Sequence, residues 1–388
     1  MSTYILDTGN HMVGYAVRAT RVQVIAAYPI TPQTPIVEQL ATMTETAKLK
    51  AKYICVESEH SALAACVGAA YVGARTFTAT SSHGLAYMHE MLHWTSGSRL
   101  PVVMAVVNRA LGPPWNIWVD HTDSLSQRDT GWIQIYCASN QEIFDSIIQC
   151  YRACESQDLS LPAMVCLEGV NLSHTLMPAV LPEQHEVDAF LPPYKPLWKL
   201  DPEDPGSAAN IFAPEKYMKL RENLQQAMDT AKRGLSNVAR EYSHHFGLPH
   251  LGGMVERYRC EDAEVVVLAL GALASEVKVA VDQLRMQGHK VGLMRVRVFR
   301  PFPTDEVREL AKTARSIVVF DRDISAGMEG ILFTEVKAAL FSSPEKPQVA
   351  GFIVGLGGVD VPGFQIAGLV EKCLEEKVQG NVIWVTGV

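Results

Sequence analysis

The sequence predicts an α/β protein, with a doubly wound parallel-sheet domain followed by a second, compact α/β domain. Three observations support this prediction. Short β-branched runs alternate with helical patterns over about residues 1 to 180, a proline-dense stretch follows at about 181 to 215, and the alternation restarts at about 255. Repeated strand–helix units are typical of parallel sheets covered by helices. The chain has 388 residues, which is enough for two cores.

Strands and helices alternate along the first segment. We predict five strands, at VQVIAAY, KYICVE, RTFTATS, PVVMAVVN and PAMVCLE. Between them, apolar residues recur three and four positions apart, as a helix facing a core requires. These helices are predicted at PIVEQLATMTETAKL, HSALAACVGAAYVG, LAYMHEMLHWTSG and EIFDSIIQCYRACES.

The second half begins with a change of composition. Prolines between about 181 and 215 predict an extended connector, because proline interrupts both helices and strand ladders. A long helix exposed on one side is predicted at EKYMKLRENLQQAMDTAKRGLSNVAREYSHHF. Four further strands are predicted at AEVVVLAL, KVGLMRVRVF, SIVVFDR and QVAGFIVGL, with Gly271 and Gly288 at turns. We therefore divide the chain into residues 1–240 and 241–388.

Composition and charge disfavour several classes of partner. The net charge is −8 and the pI is about 5.9, so the chain lacks the basic field that collects nucleic acid or anionic membrane. The longest apolar stretches, such as residues 263–274, are shorter than the roughly 20 residues of a membrane span. The first residues lack the pattern of a secretory signal. We expect a cytoplasmic protein that binds neither nucleic acid nor membrane.

The cysteines and histidines show no clear metal motif. The eight cysteines form no CxxC pair and lie mostly in apolar runs, as reduced core residues do, so any iron–sulfur cluster is expected on another chain. His83, His89 and His93 recur at helix-compatible spacing. Either they form a metal-binding face or they lie on the surface of an amphipathic helix.

Polar residues follow four of the predicted strands. Thr31 follows the first strand, Glu57 and Glu59 follow the second, TSSHG closes the third, and Arg109 follows the fourth. Ligands of open parallel sheets bind at the carboxyl ends of the strands. These side chains are therefore expected to converge at one edge.

The stretch YPITP is predicted to form a stiff turn at that edge. Pro29 and Pro32 restrict Ile30 and Thr31 between them, which presents the Thr31 hydroxyl in a preset geometry. The planar fork of Arg109 suits a carboxylate or a phosphate. A simple strand-ending turn and a surface salt bridge are the alternative interpretations. Of the two glutamates of ESEH, we expect one to cap the following helix, where the macrodipole favours an acid, and the other to face the cleft.

These stretches together carry a family resemblance. AAYPITPQTPIVEQLA, VESEHSALAACVGAAYVGARTFTATSSHGLAYMHE, RLPVVMAVVNRALGPP and DHTDSLSQRDTGWIQ resemble the α subunit of 2-oxoacid:ferredoxin oxidoreductases of the pyruvate synthase type. The resemblance continues through SHTLMP, VDAFLPPY, ERYRCEDAEVVVLALG, GLMRVRVFRPFP and GFIVGLGGVDV, and so covers essentially the whole chain. It implies a pyrimidine-binding thiamine diphosphate domain over 1–240 and a transketolase C-terminal-like domain over 241–388.

The resemblance also implies roles for particular residues. Glu59 would hydrogen-bond the aminopyrimidine of thiamine diphosphate, with Pro29 also at the cofactor, and Glu57 is the alternative to Glu59. Thr31 and Arg109 would contact the carboxylate of the 2-oxoacid. The implied reaction is the oxidative decarboxylation of pyruvate to acetyl-CoA and CO2, or its reverse.

Further subunits are implied by what the sequence lacks. No GDG motif with a distant asparagine pair is present, so the diphosphate and Mg2+ are expected on a β subunit. The resemblance implies γ- and δ-type subunits with [4Fe–4S] clusters, and ferredoxin and coenzyme A as partners. GALASEVKVAV has fewer glycines and threonines than the family's second domain leads us to expect, so a ligand there is not predicted.

Three other functions stay open from the sequence. Trp115 and Trp118 either line a pocket for phenylglyoxylate or another bulky 2-oxoacid, or pack against a subunit. A non-catalytic assembly subunit is a second alternative. A stand-alone nucleotide-binding protein is disfavoured, because the chain has neither GxGxxG nor a P-loop.

Overall fold

Two mostly parallel sheets organise the chain. A computed structural model describes residues 3–248, 253–375 and 382–386. Within these residues there are a seven-stranded sheet, a six-stranded sheet and a two-stranded antiparallel ribbon. The predicted α/β class is confirmed.

The elements of the first part of the chain alternate as predicted. They are β1 (Thr3–Thr8), α1 (Gly9–Ala19), β2 (Val24–Ala27), α2 (Thr34–Glu45), β3 (Lys52–Cys55), α3 (Glu59–Tyr71), β4 (Thr76–Thr80), α4 (Ser82–Tyr87), α5 (His89–Gly97), β5 (Val103–Asn108), α6 (Thr122–Leu125), β6 (Ile133–Tyr136), α7 (Asn140–Cys154), β7 (Ala163–Glu168), β8 (Leu176–Leu181), α8 (Gln184–Phe190) and α9 (Pro214–Phe246).

The second part restarts the alternation. Its elements are β9 (Val255–Tyr258), β10 (Val265–Leu270), α10 (Leu273–Met286), β11 (Val291–Val296), β12 (Val298–Arg300), α11 (Thr304–Ala311), β13 (Ser316–Asp321), α12 (Ile331–Phe341), β14 (Gln348–Ile353), α13 (Gly363–Glu375) and β15 (Val382–Trp384). Gly271 and Gly288 both have positive φ angles, in agreement with their predicted places at turns.

The strand order brings the ends of distant segments together. The first sheet runs β12-β6-β7-β5-β4-β2-β3, and the second runs β15-β14-β13-β10-β11-β9. Within them, β12 pairs antiparallel with β6 and β9 pairs antiparallel with β11. The strands β4 to β7 are buried along their whole length, because helices cover both faces of the sheet.

Several elements differ from the predictions. KVGLMRVRVF was predicted as one strand, but it divides at Arg297 into β11 and β12, which belong to different sheets. The short strand β6, the ribbon β1–β8 and the helix α13 were not predicted. The connector contains the short helix α8 as well as extended chain. The division of the chain after residue 240 stays a prediction, since β12 joins the first sheet from the second half.

The long helix α9 has one buried face and one exposed face, as its charge pattern predicts. Its buried side chains include Leu224, Ala231 and Leu235, and near its end the Tyr242 hydroxyl donates to Asp145 at 2.7 Å. Six of the eight cysteines are buried free thiols, while Cys55 is exposed and Cys260 is half-buried. None of the helices in the described part of the chain combines the length and apolar character that a membrane crossing needs.

A buried ionic group joins the two sheets. Glu142 of α7 accepts hydrogen bonds from the Arg295 guanidinium at 2.9 and 3.0 Å and from Arg297 Nε at 2.8 Å. Burial opposes ionisation of this carboxyl, but the two arginines outweigh it and lower the Glu142 pKa to about 2. The arginine that interrupts KVGLMRVRVF is therefore used to hold the first sheet against the second.

Glu142→Gln tests this connection. Because the Glu142 pKa lies below its usual 4.5, the carboxylate contributes stability that is complete above pH 4.5 and is lost as the pH falls toward 2. The variant leaves the buried Arg297 without its carboxylate partner and leaves Arg295 with Glu256 alone. We expect it to lower the free energy of unfolding at pH 7 by about 3 kcal/mol, and by progressively less below pH 4.5. Urea denaturation of the full chain at several pH values measures this.

The matched control is Glu241→Gln. Glu241 lies 3.5 Å from Arg152 in an exposed ion pair, so its loss should change the free energy of unfolding little at any pH. An effect of Glu142→Gln that is the same at pH 7 and at pH 3.5 would contradict the role given to its charge.

Candidate functional site

The loops after β2, β3, β4 and β5 meet at the carboxyl edge of the first sheet. The Thr31 carbonyl accepts a hydrogen bond from Arg109 Nη1. The Glu59 carboxylate is near enough to Arg109 to favour its charged form. Three of the predicted site residues are thus brought together, although their roles stay predictions.

The YPITP turn is held by buried side chains beyond its prolines. The Gln33 amide donates to the Ala79 carbonyl of β4 at 3.0 Å, and its backbone N–H donates to Ile30 O at 2.8 Å. Asn10 of α1 donates to the Pro32 carbonyl at 2.9 Å. Thr31 and Pro29 remain exposed. The stiffness of the turn therefore depends on the side-chain amides of Gln33 and Asn10 as well as on its prolines. The sequence pattern did not point to these two residues.

The two glutamates of ESEH have different surroundings. Ser58 is the N-cap of α3 and accepts a hydrogen bond from Ser61 N at 3.2 Å, so the expectation that a glutamate caps this helix was wrong. Glu57 is exposed and accepts from the Ser61 hydroxyl. Glu59, in the first turn of α3, is only 8% exposed. It is thus Glu59 that faces the interior of the edge, and Glu57 that faces outward.

Gly84 makes room for the Glu59 carboxyl. A Cβ atom at position 84 would lie 2.5 Å from Thr80 Oγ1 and 2.6 Å from Glu59 Oε1. Such distances are shorter than a normal van der Waals contact. The glycine of TSSHG therefore allows the start of α4 to lie directly against the carboxylate.

Arg109 is the cation of this edge. Its Nη1 donates to the Thr31 carbonyl, its Nη2 lies 3.1 Å from His83 Nδ1, and its guanidinium carbon lies 4.7 Å from the centre of the Trp115 ring. Burial lowers the pKa of Arg109, while the Asp123 and Glu59 carboxylates act in the opposite direction. Among the described residues, Arg109 Nε has no hydrogen-bond partner.

A buried carboxylate, Asp123, connects two of the loops. Its Oδ2 accepts from the backbone N–H groups of Ser82 and Arg109, both at 3.0 Å, and its Oδ1 accepts from Asn108 Nδ2 at 2.8 Å and Ser124 N at 2.7 Å. Burial raises the Asp123 pKa to about 6, although these hydrogen bonds lower it in part. Sequence reasoning missed Asp123. Its stretch, DHTDSLSQRDTGWIQ, contributed to the resemblance, but nothing in the pattern pointed to these partners.

The loop containing Trp115 and Trp118 connects the site to the second half of the chain. Asn116 Nδ2 donates to the Gly357 carbonyl at 2.9 Å. A Cβ atom at Gly358 would lie 2.5 Å from Trp118 Cβ, so the indole packs directly on that glycine. Trp118 is therefore a packing residue within the chain, whereas Trp115 covers Arg109. These contacts within the chain test neither predicted role, a pocket for a bulky 2-oxoacid or packing against another subunit.

A second buried carboxylate lies behind the site. Glu168, at the end of β7, accepts from Arg322 Nη1 at 2.6 Å and from the Ala272 backbone N–H at 2.9 Å. Burial opposes its ionisation, but Arg322 and His121 lower the Glu168 pKa to about 2. A Cβ atom at Gly271 would lie 2.7 Å from Glu168 Oε1. The predicted turn at Gly271 is thus also a close approach between the two halves.

The three histidines do not form one cluster, although the rings of His89 and His93 are in contact, with centroids 5.0 Å apart. The predicted helix breaks at Met88 into α4 and α5. His83 turns toward Arg109, His89 lies 2.6 Å from Gln127 Oε1, and His93 is exposed. Within the ranges that the structure describes, no group of three His, Cys, Asp or Glu side chains could hold a metal ion. The metal-face interpretation is therefore not supported.

Comparisons with known proteins agree on one family. A family model described as pyruvate flavodoxin/ferredoxin oxidoreductase, thiamine diphosphate-binding, matches residues 15–240. A second, described as pyruvate:ferredoxin oxidoreductase core domain II, matches residues 263–366.

Curated relatives match over nearly their whole length. The ketoisovalerate oxidoreductase subunit VorA of Pyrococcus abyssi is 47% identical, with 97% of this chain and 96% of the relative covered. The pyruvate synthase subunit PorA of Methanothermobacter thermautotrophicus is 44% identical, with 97% of each chain covered. That of Methanocaldococcus jannaschii is 45% identical, with 97% and 96% covered.

A solved structure has a similar fold. The 2-oxoglutarate:ferredoxin oxidoreductase from Magnetococcus marinus aligns with a TM-score of 0.72 and 18% identity. The alignment covers 95% of this chain and 65% of that one. At this identity the likeness shows the fold alone.

Asp123→Asn tests the buried carboxylate. Because burial raises the Asp123 pKa from 3.8 to about 6, the stability that this group contributes is present below pH 3.8 and is lost as the pH rises to about 6. The variant cannot titrate. We expect the parent chain to lose about 3 kcal/mol of unfolding free energy relative to the variant between pH 4 and pH 6. Urea denaturation of both full chains across that range measures the difference.

Asp120→Asn is the neighbouring control. Asp120 Oδ1 accepts from the Thr122 backbone N–H at 2.8 Å, and its side chain is half-buried. Its replacement should leave the pH profile of the parent chain intact. Parallel profiles for the Asp123 variant and the parent would show that Asp123 does not titrate in this range.

Proposed function

Because the chain belongs to the family of α subunits of 2-oxoacid:ferredoxin oxidoreductases, we propose that it provides the aminopyrimidine contact and the substrate-carboxylate contact of a thiamine diphosphate enzyme. The enzyme is a multi-subunit complex that carries out the oxidative decarboxylation of a 2-oxoacid, or its reverse. The observation that carries the proposal is the proximity of a buried carboxylate, Glu59, to a buried guanidinium, Arg109, at one sheet edge. Both residues lie in the segment matched by the thiamine diphosphate-binding family model.

The surroundings of Glu59 fit the edge of an aminopyrimidine ring. In the part of the chain that the structure describes, no hydrogen-bond donor reaches the Glu59 carboxylate. Thr80 Oγ1, which borders the same space over Gly84 as Glu59 Oε1, is buried without a partner among the described residues, as is Ser81 Oγ of the same loop. A buried acceptor and two buried hydroxyls without partners favour a polar ligand, since each unsatisfied group costs free energy. We assign Glu59 to hold a ring proton at its carboxylate oxygen, and we keep Pro29 with the cofactor residues as a prediction.

Thiamine diphosphate, when bound, supplies the electron sink for decarboxylation. This chain's own contribution is to position the cofactor ring and the substrate. Glu59 holds the ring edge, and the Trp115 ring over Arg109 limits the access of water to the guanidinium. A cation in such a partly desolvated place binds a carboxylate more strongly than it would in water.

Arg109 and Thr31 are proposed to hold the substrate carboxylate. The guanidinium keeps free N–H donors after its contacts to Thr31 O and His83, and a guanidinium fork can bind a carboxylate through two parallel hydrogen bonds. The exposed Thr31 hydroxyl stands on a turn that Gln33 and Asn10 immobilise. Such preset groups orient the bond that breaks without a large loss of entropy on binding.

Pyruvate is the proposed substrate, and ketoisovalerate is the second candidate. The relatives named for pyruvate are 44% and 45% identical to this chain, and the relative named for ketoisovalerate is 47% identical, so identity alone does not separate them. Arg109 is the one cation among the site residues described above, which favours a monocarboxylate over a dicarboxylate such as 2-oxoglutarate. Phenylglyoxylate is disfavoured, because Trp118 is used in packing on Gly358.

The partners are proposed from the family and the missing motifs. A β subunit would bind the diphosphate and Mg2+, and γ- and δ-type subunits would carry [4Fe–4S] clusters that pass electrons to ferredoxin. Coenzyme A is the proposed acyl acceptor. The solved structure of the Magnetococcus marinus enzyme has coenzyme A and succinyl-CoA bound. The cytoplasmic location remains a prediction from the sequence.

Glu59→Gln tests the cofactor contact, with Glu57→Gln as its matched control two residues away. In the purified complex, we expect Glu59→Gln to lower the rate of 2-oxoacid-dependent ferredoxin reduction about 100-fold or more, because the amide cannot exchange a proton with the ring edge. Glu57→Gln should retain nearly the full rate. The reverse result would transfer the role to Glu57, and full activity in both variants would favour the non-catalytic assembly subunit.

Thr31→Ala tests the substrate contact. We expect the KM for the 2-oxoacid to rise about tenfold, while the affinity for thiamine diphosphate stays unchanged, because one hydrogen bond to the substrate is lost. Steady-state kinetics with pyruvate, ketoisovalerate and phenylglyoxylate, together with cofactor titration, measure both quantities and identify the preferred substrate. Equal losses of substrate and cofactor affinity would argue that Thr31 supports the fold of the turn.

A further inference from the structure

His83 contacts one terminal nitrogen of the Arg109 guanidinium, and Thr31 contacts the other. Its Nδ1 lies 3.1 Å from Arg109 Nη2, and its Nε2 lies 2.9 Å from the Gly112 carbonyl oxygen. The His83 ring also meets the Trp115 ring edge to face, with centroids 5.6 Å apart. The imidazole is thus enclosed by the arginine, the loop after β5 and the indole that covers the arginine.

The backbone before His83 is held in an uncommon conformation. Ser82 has a φ of +45°, in the left-handed region that residues other than glycine seldom adopt. Two hydrogen bonds support it: Ser82 N donates to Asp123 Oδ2 at 3.0 Å, and Ser82 Oγ donates to Ala110 O at 2.6 Å. Such a conformation costs about 1–3 kcal/mol and persists only where its surroundings impose it. Here the Ser82 conformation directs the His83 side chain toward Arg109.

The contact with Arg109 determines which ring nitrogen of His83 carries the proton. A guanidinium donates hydrogen bonds and cannot accept them, so His83 Nδ1 must be the acceptor. The proton is then on Nε2, which can donate it to Gly112 O at 2.9 Å, and the Gly112 N–H, 3.1 Å from Nε2, is left without an acceptor on the ring. A neutral imidazole in this tautomer holds Arg109 Nη2 without placing a second positive charge beside it.

Thr31 O and His83 Nδ1 together define the plane of the guanidinium. The Thr31 carbonyl holds Nη1, His83 holds Nη2, and Trp115 lies against the face. With only one of the two acceptors in place, the guanidinium plane could rotate about the Cδ–Nε bond of Arg109. The direction of the remaining N–H donors would then vary.

We propose that His83 is a positioning residue for substrate binding, which sets the direction of the Arg109 fork that receives the 2-oxoacid carboxylate. The inference rests on the function proposed above. It gives a role to a residue that lies in the strand-end stretch TSSHG but to which neither that pattern nor the family resemblance assigned one, and it explains why a strained Ser82 precedes it.

Two substitutions of similar size separate the functions of the ring nitrogens. In His83→Asn, the Oδ1 atom replaces Nδ1 and can accept from Arg109. In His83→Gln, the amide extends toward the Nε2 position and the acceptor at Nδ1 is lost. In the purified complex, we expect His83→Gln to raise the KM for the preferred 2-oxoacid about tenfold with kcat within about twofold, and His83→Asn to stay within about threefold of the parent KM.

The matched control is His93→Gln, since His93 is an exposed histidine of α5 outside the site. Its kinetics should equal those of the parent. A double variant, His83→Gln with Arg109→Lys, supplies a readout that a purely structural role would not give. If His83 acts through the arginine, the double variant should have the same KM as Arg109→Lys alone, because the two changes remove one shared interaction.

Three kinetic results would overturn the proposal. They are an unchanged KM in His83→Gln, equal KM increases in the Asn and Gln variants, and additive effects with Arg109→Lys. Loss of assembly in both single variants, followed by size-exclusion chromatography, would assign His83 to folding and would also overturn it. If Arg109→Lys itself leaves the KM unchanged, the proposed function fails. If Arg109→Lys raises the KM and His83→Gln does not, only this inference fails.

Discussion

The carboxylate of Asp123 is the contact on which the whole edge depends. It is fully enclosed, and it accepts the backbone N–H groups of Ser82 and Arg109, which come from loops after two different strands. A buried anion is stable only where hydrogen-bond donors surround it, so these loops cannot move apart without exposing a costly unpaired group. The directions of His83 and Arg109 both follow from this constraint.

The second half of the chain contributes to the site without placing a predicted site residue in it. Glu168 is bonded to Arg322 and to the turn at Ala272, and Asn116 is bonded to Gly357. The loop that covers Arg109 is thus attached to both halves. A buried ion pair tolerates little displacement, because separating its partners leaves a charge without compensation. The second sheet accordingly acts as a rigid support for the loop over Arg109.

The success and the failure of the sequence-based predictions have one physical basis. Buried strands of a parallel sheet read as apolar runs, and their ends are marked by proline, glycine and polar residues, so the sequence predicted that Thr31, Glu59 and Arg109 converge at one edge, as they do. KVGLMRVRVF was read as one strand, because nothing local reveals that Arg297 will pair with Glu142, 155 positions away in sequence. Gln33 and Asp123 were missed for the same reason.

The sequence by itself determined the class of fold, the alternation of strands and helices, the places of the turns, and the kinds of side chain at each strand end. These properties depend on neighbouring residues and on short periodicities, which the chain carries locally. Only the tertiary structure decided that Glu59 faces inward while Glu57 faces solvent, that β12 joins the first sheet, and that His83 accepts from Arg109. Such choices depend on groups far apart in the chain, whose distances exist only once the sheets have packed.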